Sequence, residues 1–175
     1  MGRALAHLKA IPLGGRLAAV CLALALALFA SPSNAGAEEA LLTLSNANAG
    51  NAAPVKWTRD DLAALPQKQV QTATEWTDGR PVFEGPLARD VIAGARGHGE
   101  KFVKAIAVND YSVEIPLSDF EQYDVILALS MNGQELSLRD KGPIWIVYPR
   151  DQHEELQDPV FNSRWIWQLD RLVLR

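Results

Sequence analysis

Arg3, Lys9 and Arg16 precede an unbroken apolar run from Leu17 to Ala30, which Ser31-Pro32 and a string of small residues follow. Cations, apolar stretch and small residues in that order are the pattern of a secretory signal. The run has 14 residues, short of the roughly 20 that span a bilayer as a helix. Cleavage is expected after Ala35 or Ala37, so residues 1–37 are a signal peptide and the product is periplasmic. That segment holds Cys21, the one cysteine of the 175 residues. The exported part therefore has to fold without a disulfide, a thiolate metal site or a cysteine nucleophile. About 140 residues remain, enough for one core.

The segment carries three of the 17 cations and no acid, which leaves 14 cations against 21 acids beyond it, a net charge of −7. Such a domain repels phosphate backbones, and sequence-independent nucleic-acid binding is excluded. Export also removes ATP and NADH from reach, and with them kinase and dehydrogenase chemistry.

Punctuation is dense along the rest. Residues 38–57, with the small, polar stretch Asn46 to Pro54, read as a leading segment and loop ahead of a domain over 58–175. Thr58 caps a short helix over Arg59–Leu65, with Asp60 and Asp61 in its first turn and Pro66 closing it. Gln67–Trp76 reads as a strand, and Thr77 to Pro81 as a turn. Pro86 opens a helix that ends at Gly94. Phe102–Val108 and Tyr111–Ile115 read as strands, and Ser118 to Glu121 as a capping box with one helical turn. Asn132-Gly133 between Val125–Met131 and Glu135–Leu138 is a hairpin signal. Ile144–Tyr148 and Trp165–Leu174 complete the strands. Many short strands with a few short helices predict an α+β fold with a mixed β-sheet core, not a doubly wound sheet.

Familiar catalytic motifs fail on inspection. His153-Glu154-Glu155-Leu156 begins like a zinc-protease helix, but Gln157 stands where the second imidazole belongs. Gly94 to Lys101 imitates a phosphate loop, yet Glu100 separates the last glycine from the lysine. No G-x-S-x-G elbow occurs. The informative residues are five tryptophans, all beyond residue 37, four of them beside charged or hydrogen-bonding residues. On a strand, Trp165 and Trp167 face opposite sides. Such rings stack on a flat heteroaromatic ligand, with carboxylates accepting from its N–H groups and arginines meeting its carbonyl.

From Leu41 to Arg175 the chain resembles the molybdopterin-binding domain of the sulfite oxidase superfamily. The resembling stretches are Leu62 to Pro66 before Gln71 to Trp76, Phe83 to Val91, Val108 to Leu117, Asp124 to Ala128, Asn132 to Leu136, Lys141 to Pro149 and Trp165 to Leu172. Catalytic members place a molybdenum-ligating cysteine at the end of the strand matching Thr72–Trp76, where this sequence has none. The short, exported, cysteine-free form is similar to periplasmic pterin-binding regulators, on Thr74 to Gly79, Asn109 to Tyr111 and Arg139 to Trp145. That resemblance implies a reduced, monapterin-like pterin as ligand, no molybdenum, and a partner in the extracytoplasmic domain of a membrane cyclic-di-GMP synthase/phosphodiesterase. The alternative is a molybdopterin-dependent oxidoreductase subunit. The expected ligand residues are Trp76, Tyr111, Trp145 and Tyr148 for stacking, Asp110 and Glu75 for the ring's N–H edge, and Arg139 and Arg150 for its carbonyl or side chain. Arg150 to Asp158, next to Phe161, is the expected partner contact.

Overall fold

The computed structural model describes residues 39–175, and the signal-peptide reading lies outside the described residues. Among these, no helix is long and apolar enough to cross a membrane.

The larger sheet has five strands in the order β2-β1-β11-β5-β6. Its members are β1 (Leu42–Asn46), β2 (Val55–Trp57), β5 (Phe102–Ala107), β6 (Ser112–Pro116) and β11 (Leu169–Leu174). β1 runs parallel to β11, and every other pairing is antiparallel, so the sheet is mixed. A four-stranded antiparallel sheet joins β3 (Gln67–Gln71), β4 (Val82–Pro86), β8 (Ser130–Met131) and β9 (Gln134–Glu135). β7 (Ile126–Ala128) pairs with β10 (Trp145–Val147). With three short helices, α1 (Arg59–Ala64), α2 (Ala88–Ala93) and α3 (Leu117–Gln122), this is the expected α+β fold.

Local chemistry explains several of these elements. Thr58 Oγ1 accepts from the Asp61 N–H (3.1 Å) and Asp61 Oδ2 accepts from the Thr58 N–H (2.9 Å), so α1 opens with a complete capping box. That bonding holds the Asp61 carboxyl below the usual range, led by the Thr58 backbone N–H. Asn132 and Gly133 both take positive φ, 53° and 74°, the twist a two-residue hairpin turn demands between β8 and β9. Gly85 lets β4 approach the next layer, since a Cβ there would meet Leu127 O at 2.0 Å. Leu42, Leu44, Val103, Ala105, Leu172 and Leu174 alternate along their strands into a core shared with Phe83, Ile126, Ile146 and Trp145.

Four local expectations are corrected. β1 and β2 lie inside the stretch read as a leading segment, because Leu42 and Leu44 bury against β11. The strand from Gln67 stops at Gln71, and residues 72–81 form a loop. The last strand starts at Leu169, not Trp165, after Gln168 takes a φ of 52°. α3 begins at Leu117 with no side-chain cap, since the Leu117 N–H bonds to Lys101 O (2.8 Å) and draws the turn in one residue early.

Candidate functional site

A cavity of about 410 Å³ opens between the loop 72–81, the β5–β6 turn and the segment leading into β11. Trp76, Tyr111, Trp165 and Trp167 supply aromatic walls, Ala107 and Ile166 apolar ones, and Asn109, Asn162 and Ser163 polar groups. None of these nine residues is charged.

The aromatic side is a packed cluster. Trp76 meets Trp167 edge-on at 5.4 Å between ring centroids, Trp165 at 6.1 Å and Trp145 at 6.4 Å. Trp145 lies 6.4 Å from both Trp165 and Trp167, so the two indoles do not face opposite sides as a strand would require. The departure from strand geometry before Leu169 brings both to one cavity. Trp145 is fully buried behind that layer, with Lys141 Nζ 5.4 Å from its ring centroid and its indole N–H without a hydrogen-bond partner.

The β5–β6 turn is built by its own sequence. The Asp110 N–H bonds to Ala107 O (2.9 Å), the Ala107 N–H to Tyr111 O (2.9 Å) and the Tyr111 N–H to Asn109 Oδ1 (3.1 Å). Asp110 takes a φ of 63°, a conformation Asp tolerates better than most residues. Tyr111 is left 54 % exposed at the cavity.

The opposite wall, the 3-10 segment Pro159–Arg164, is anchored from beneath. Asp119 Oδ2 accepts from Arg164 Nη1 (2.5 Å) and from the Tyr148 hydroxyl (2.8 Å), with the carboxylate 7 % and the guanidinium 16 % exposed. Burial and then the Asp119 charge push the Tyr148 hydroxyl well above its ordinary value, so it stays a neutral donor. Arg164 also stacks over Phe161, 4.4 Å from its centroid.

Of the residues expected at the ligand, Trp76 and Tyr111 line the cavity and Trp145 packs behind it. Tyr148 is fully buried and serves the Asp119 anchor, because its hydroxyl needs a partner once the ring is in the core. Asp110 is turned to solvent, 81 % exposed, and pairs with Arg171 at 2.5 Å. Glu75 pairs with Arg150 at 2.8 Å outside the cavity, and Arg139 is exposed on the 3-10 turn Leu138–Asp140. Asn109 lies in the resembling stretch Asn109 to Tyr111 without being among the expected ligand residues, and for Asn162 and Ser163 the sequence offers no signal beyond nearness to Arg164-Trp165. Among the described residues, no cluster of three His, Cys, Asp or Glu could hold a metal ion.

A mixed five-stranded sheet, a second antiparallel sheet and an aromatic cavity between their connections define an α+β domain of the sulfite oxidase type. The chain belongs to the oxidoreductase molybdopterin binding domain family, whose model matches residues 47–151. That match includes Trp76, Ala107, Asn109 and Tyr111, whereas residues 162–167 of the cavity lie beyond it. Among solved structures, the sulfane dehydrogenase SoxCD from Paracoccus pantotrophus is similar, with a TM-score of 0.56 and 18 % identity. The likeness covers 76 % of this chain and 37 % of that one, and at this identity it is a likeness of fold. Among curated proteins, none matches.

Proposed function

We propose that the cavity binds a pterin reversibly and that the chain is an exported sensory protein, not a molybdenum enzyme. The observation that carries this is the composition of the walls: four aromatic rings, two amides and a hydroxyl around about 410 Å³, with no charged side chain. A pterin is a flat bicycle with an amino-oxo pyrimidine edge. Aromatic rings take its faces, and a carboxamide offers one donor and one acceptor to that edge. Asn109 and Asn162 are the residues assigned to the edge, and Trp76, Trp167 and Tyr111 to the faces. A phosphorylated pterin would set its charge among walls that offer no cation, which favours the phosphate-free, monapterin-like class.

Family membership makes a molybdenum cofactor the group to test against these residues. Bound molybdenum would supply oxygen-atom transfer, and in this superfamily resemblance it rests on a thiolate. Residues 38–175 contain no cysteine. At the strand end, the fully buried Thr72 hydroxyl accepts from the Asp151 N–H (3.2 Å) and donates to Ala73 O (3.4 Å). A hydroxyl already engaged on both counts is a poor substitute for a soft thiolate. The donor set does not fit the metal, and the walls fit the pterin. The competing reading, a molybdopterin-dependent oxidoreductase subunit, draws its support from the family match.

Three measurements separate the readings. Mass spectrometry of ligand released from the purified exported protein is expected to find a pterin, and calorimetry to detect binding of reduced neopterin. Metal analysis is expected to find molybdenum far below one equivalent; a stoichiometric amount would establish the oxidoreductase instead. The output is assigned to a periplasmic contact with a membrane cyclic-di-GMP synthase/phosphodiesterase, made by the polar rim Arg150 to Asp158 and Phe161. Such a partner must prefer the loaded or the empty form. A membrane pull-down with and without neopterin should recover it in one state only, and deletion of the gene should change the cyclic-di-GMP level.

A further inference from the structure

The loop 72–81 leaves β3 and returns into β4, with its neck closed by the Thr72 N–H on Pro81 O at 3.3 Å. Trp76 stands at its middle. Within the loop its backbone has one local bond, the Trp76 N–H to Thr74 Oγ1 (3.1 Å), itself paired with the Thr77 hydroxyl (2.7 Å). Its ring packs against Trp167 and Trp165, which line the cavity with it, and against Trp145 behind them. Nothing of a ladder fixes this tryptophan, so its position depends on its ring packing and on what ties the loop from outside.

Those ties converge on one residue. Asp151 Oδ2 accepts from the Ala73 N–H at 3.0 Å on the leading leg of the loop. Arg80 Nε stands 2.7 Å from the same oxygen on the returning leg. The Asp151 N–H donates to the buried Thr72 hydroxyl at 3.2 Å. One residue thus spans both legs, three positions before Trp76 and four after it. Its side chain is 21 % exposed and lines no part of the cavity. The remaining tie, Arg150 to Glu75, lies next to it on the same 3-10 turn, Arg150–Gln152.

We infer that Asp151 is a positioning residue that seats Trp76 as a wall of the cavity. It acts by preorganisation: a tethered loop has less freedom to lose when a ligand stacks on Trp76. The effect on affinity rests on the pterin reading of the cavity, but the effect on Trp76 itself does not.

The test uses the full exported chain and two readouts. Near-UV circular dichroism reports the packing of the tryptophan cluster, and the Trp76→Phe variant defines the part that belongs to Trp76. Asp151→Ala should remove that part, and adding it to Trp76→Phe should change nothing further. Quenching titrations with reduced neopterin should give about tenfold weaker binding for Asp151→Ala, the loss of one charge-assisted hydrogen bond's net value. Asp151→Asn keeps an acceptor for the Ala73 N–H and should lie between, and Glu135→Gln, exposed on β9, should match the parent. Should Asp151→Ala not fold, Asp151→Asn and Arg80→Ala carry the same comparison. A Trp76 band unchanged in all Asp151 and Arg80 variants would overturn the assignment whether or not neopterin binds. Absence of neopterin binding in the parent, with the band lost as expected, would instead overturn the pterin reading and leave the positioning role standing.

Discussion

The two sides of the cavity are held by the same chemistry in different surroundings. On the Asn162 side, Asp119 meets Arg164 and Tyr148 below the surface, with 7 % and 16 % of the two charged side chains exposed. On the Trp76 side, Asp151 meets Arg80 at 21 % and 60 % exposure, and Arg150 meets Glu75 at 19 % and 49 %. A carboxylate–guanidinium pair near water contributes about 0–1 kcal/mol. Removing one partner of a buried pair costs roughly 3–5 kcal/mol, because the other charge stays behind without compensation. The difference teaches that one wall is anchored below the surface and the other by pairs that reach solvent. The Trp76 side is therefore the one expected to respond to salt and to surface substitutions.

The largest expected effect breaks the buried side. Asp119→Ala should lower the unfolding free energy by about 3–5 kcal/mol, measured by urea denaturation. Arg164 loses its carboxylate and the buried Tyr148 hydroxyl its acceptor. Loss within 1 kcal/mol would mean the two walls are held alike. Next comes the neck of the loop 72–81. Thr72→Val keeps the shape of a fully buried side chain but leaves the Asp151 N–H without its acceptor, a cost of about 1–3 kcal/mol.

Asp124 extends the exposed side of the comparison, because its carboxylate is 36 % exposed between Lys68 on β3 and Arg89 on α2. The Lys68 hydrogen bond first, and then that of Arg89, hold it below an aspartate's ordinary 3.8. Its folded value is depressed, so its contribution is complete above the unfolded value and is lost as pH falls through the folded one. Acid titration of stability below pH 3.8 should therefore be shallower in Asp124→Asn than in the parent. Parallel titration curves would remove Asp124 from the comparison.

Legibility in the sequence followed how local each cause was. The Thr58–Asp61 box and the Asn132-Gly133 turn are decided within four residues, and both elements form where the sequence places them. The larger sheet's first strands are not legible because Leu42 and Leu44 look like an isolated apolar scrap until β11, over 120 residues later, pairs with them. The cavity shows the same division. Trp76 and Tyr111 stood out by residue type, but Asn162 and Ser163 lie on an irregular 3-10 segment with no period to read. Tyr148 and Asp119 could not be read as partners, since their hydrogen bond spans 29 positions and depends on both being buried.

The smallest expected effect sharpens the comparison most, because it needs no change to the core. Raising the ionic strength from 0.1 M to 1 M shortens the screening length from about 10 Å to about 3 Å. Exposed pairs weaken under that change and buried ones far less. The Trp76 contribution to near-UV dichroism should therefore decline with salt, since Arg80–Asp151 and Arg150–Glu75 both reach solvent. The part of the remaining signal in Trp76→Phe that comes from Trp145 and Trp165, at 0 % and 3 % exposure, should not. Glu75→Gln removes one of the two exposed pairs, so it should reduce the salt dependence while changing stability by no more than about 1 kcal/mol. If the buried tryptophans follow salt as Trp76 does, the walls are not independent, and the loop 72–81 is coupled to the core through the ring contacts at 5.4–6.4 Å.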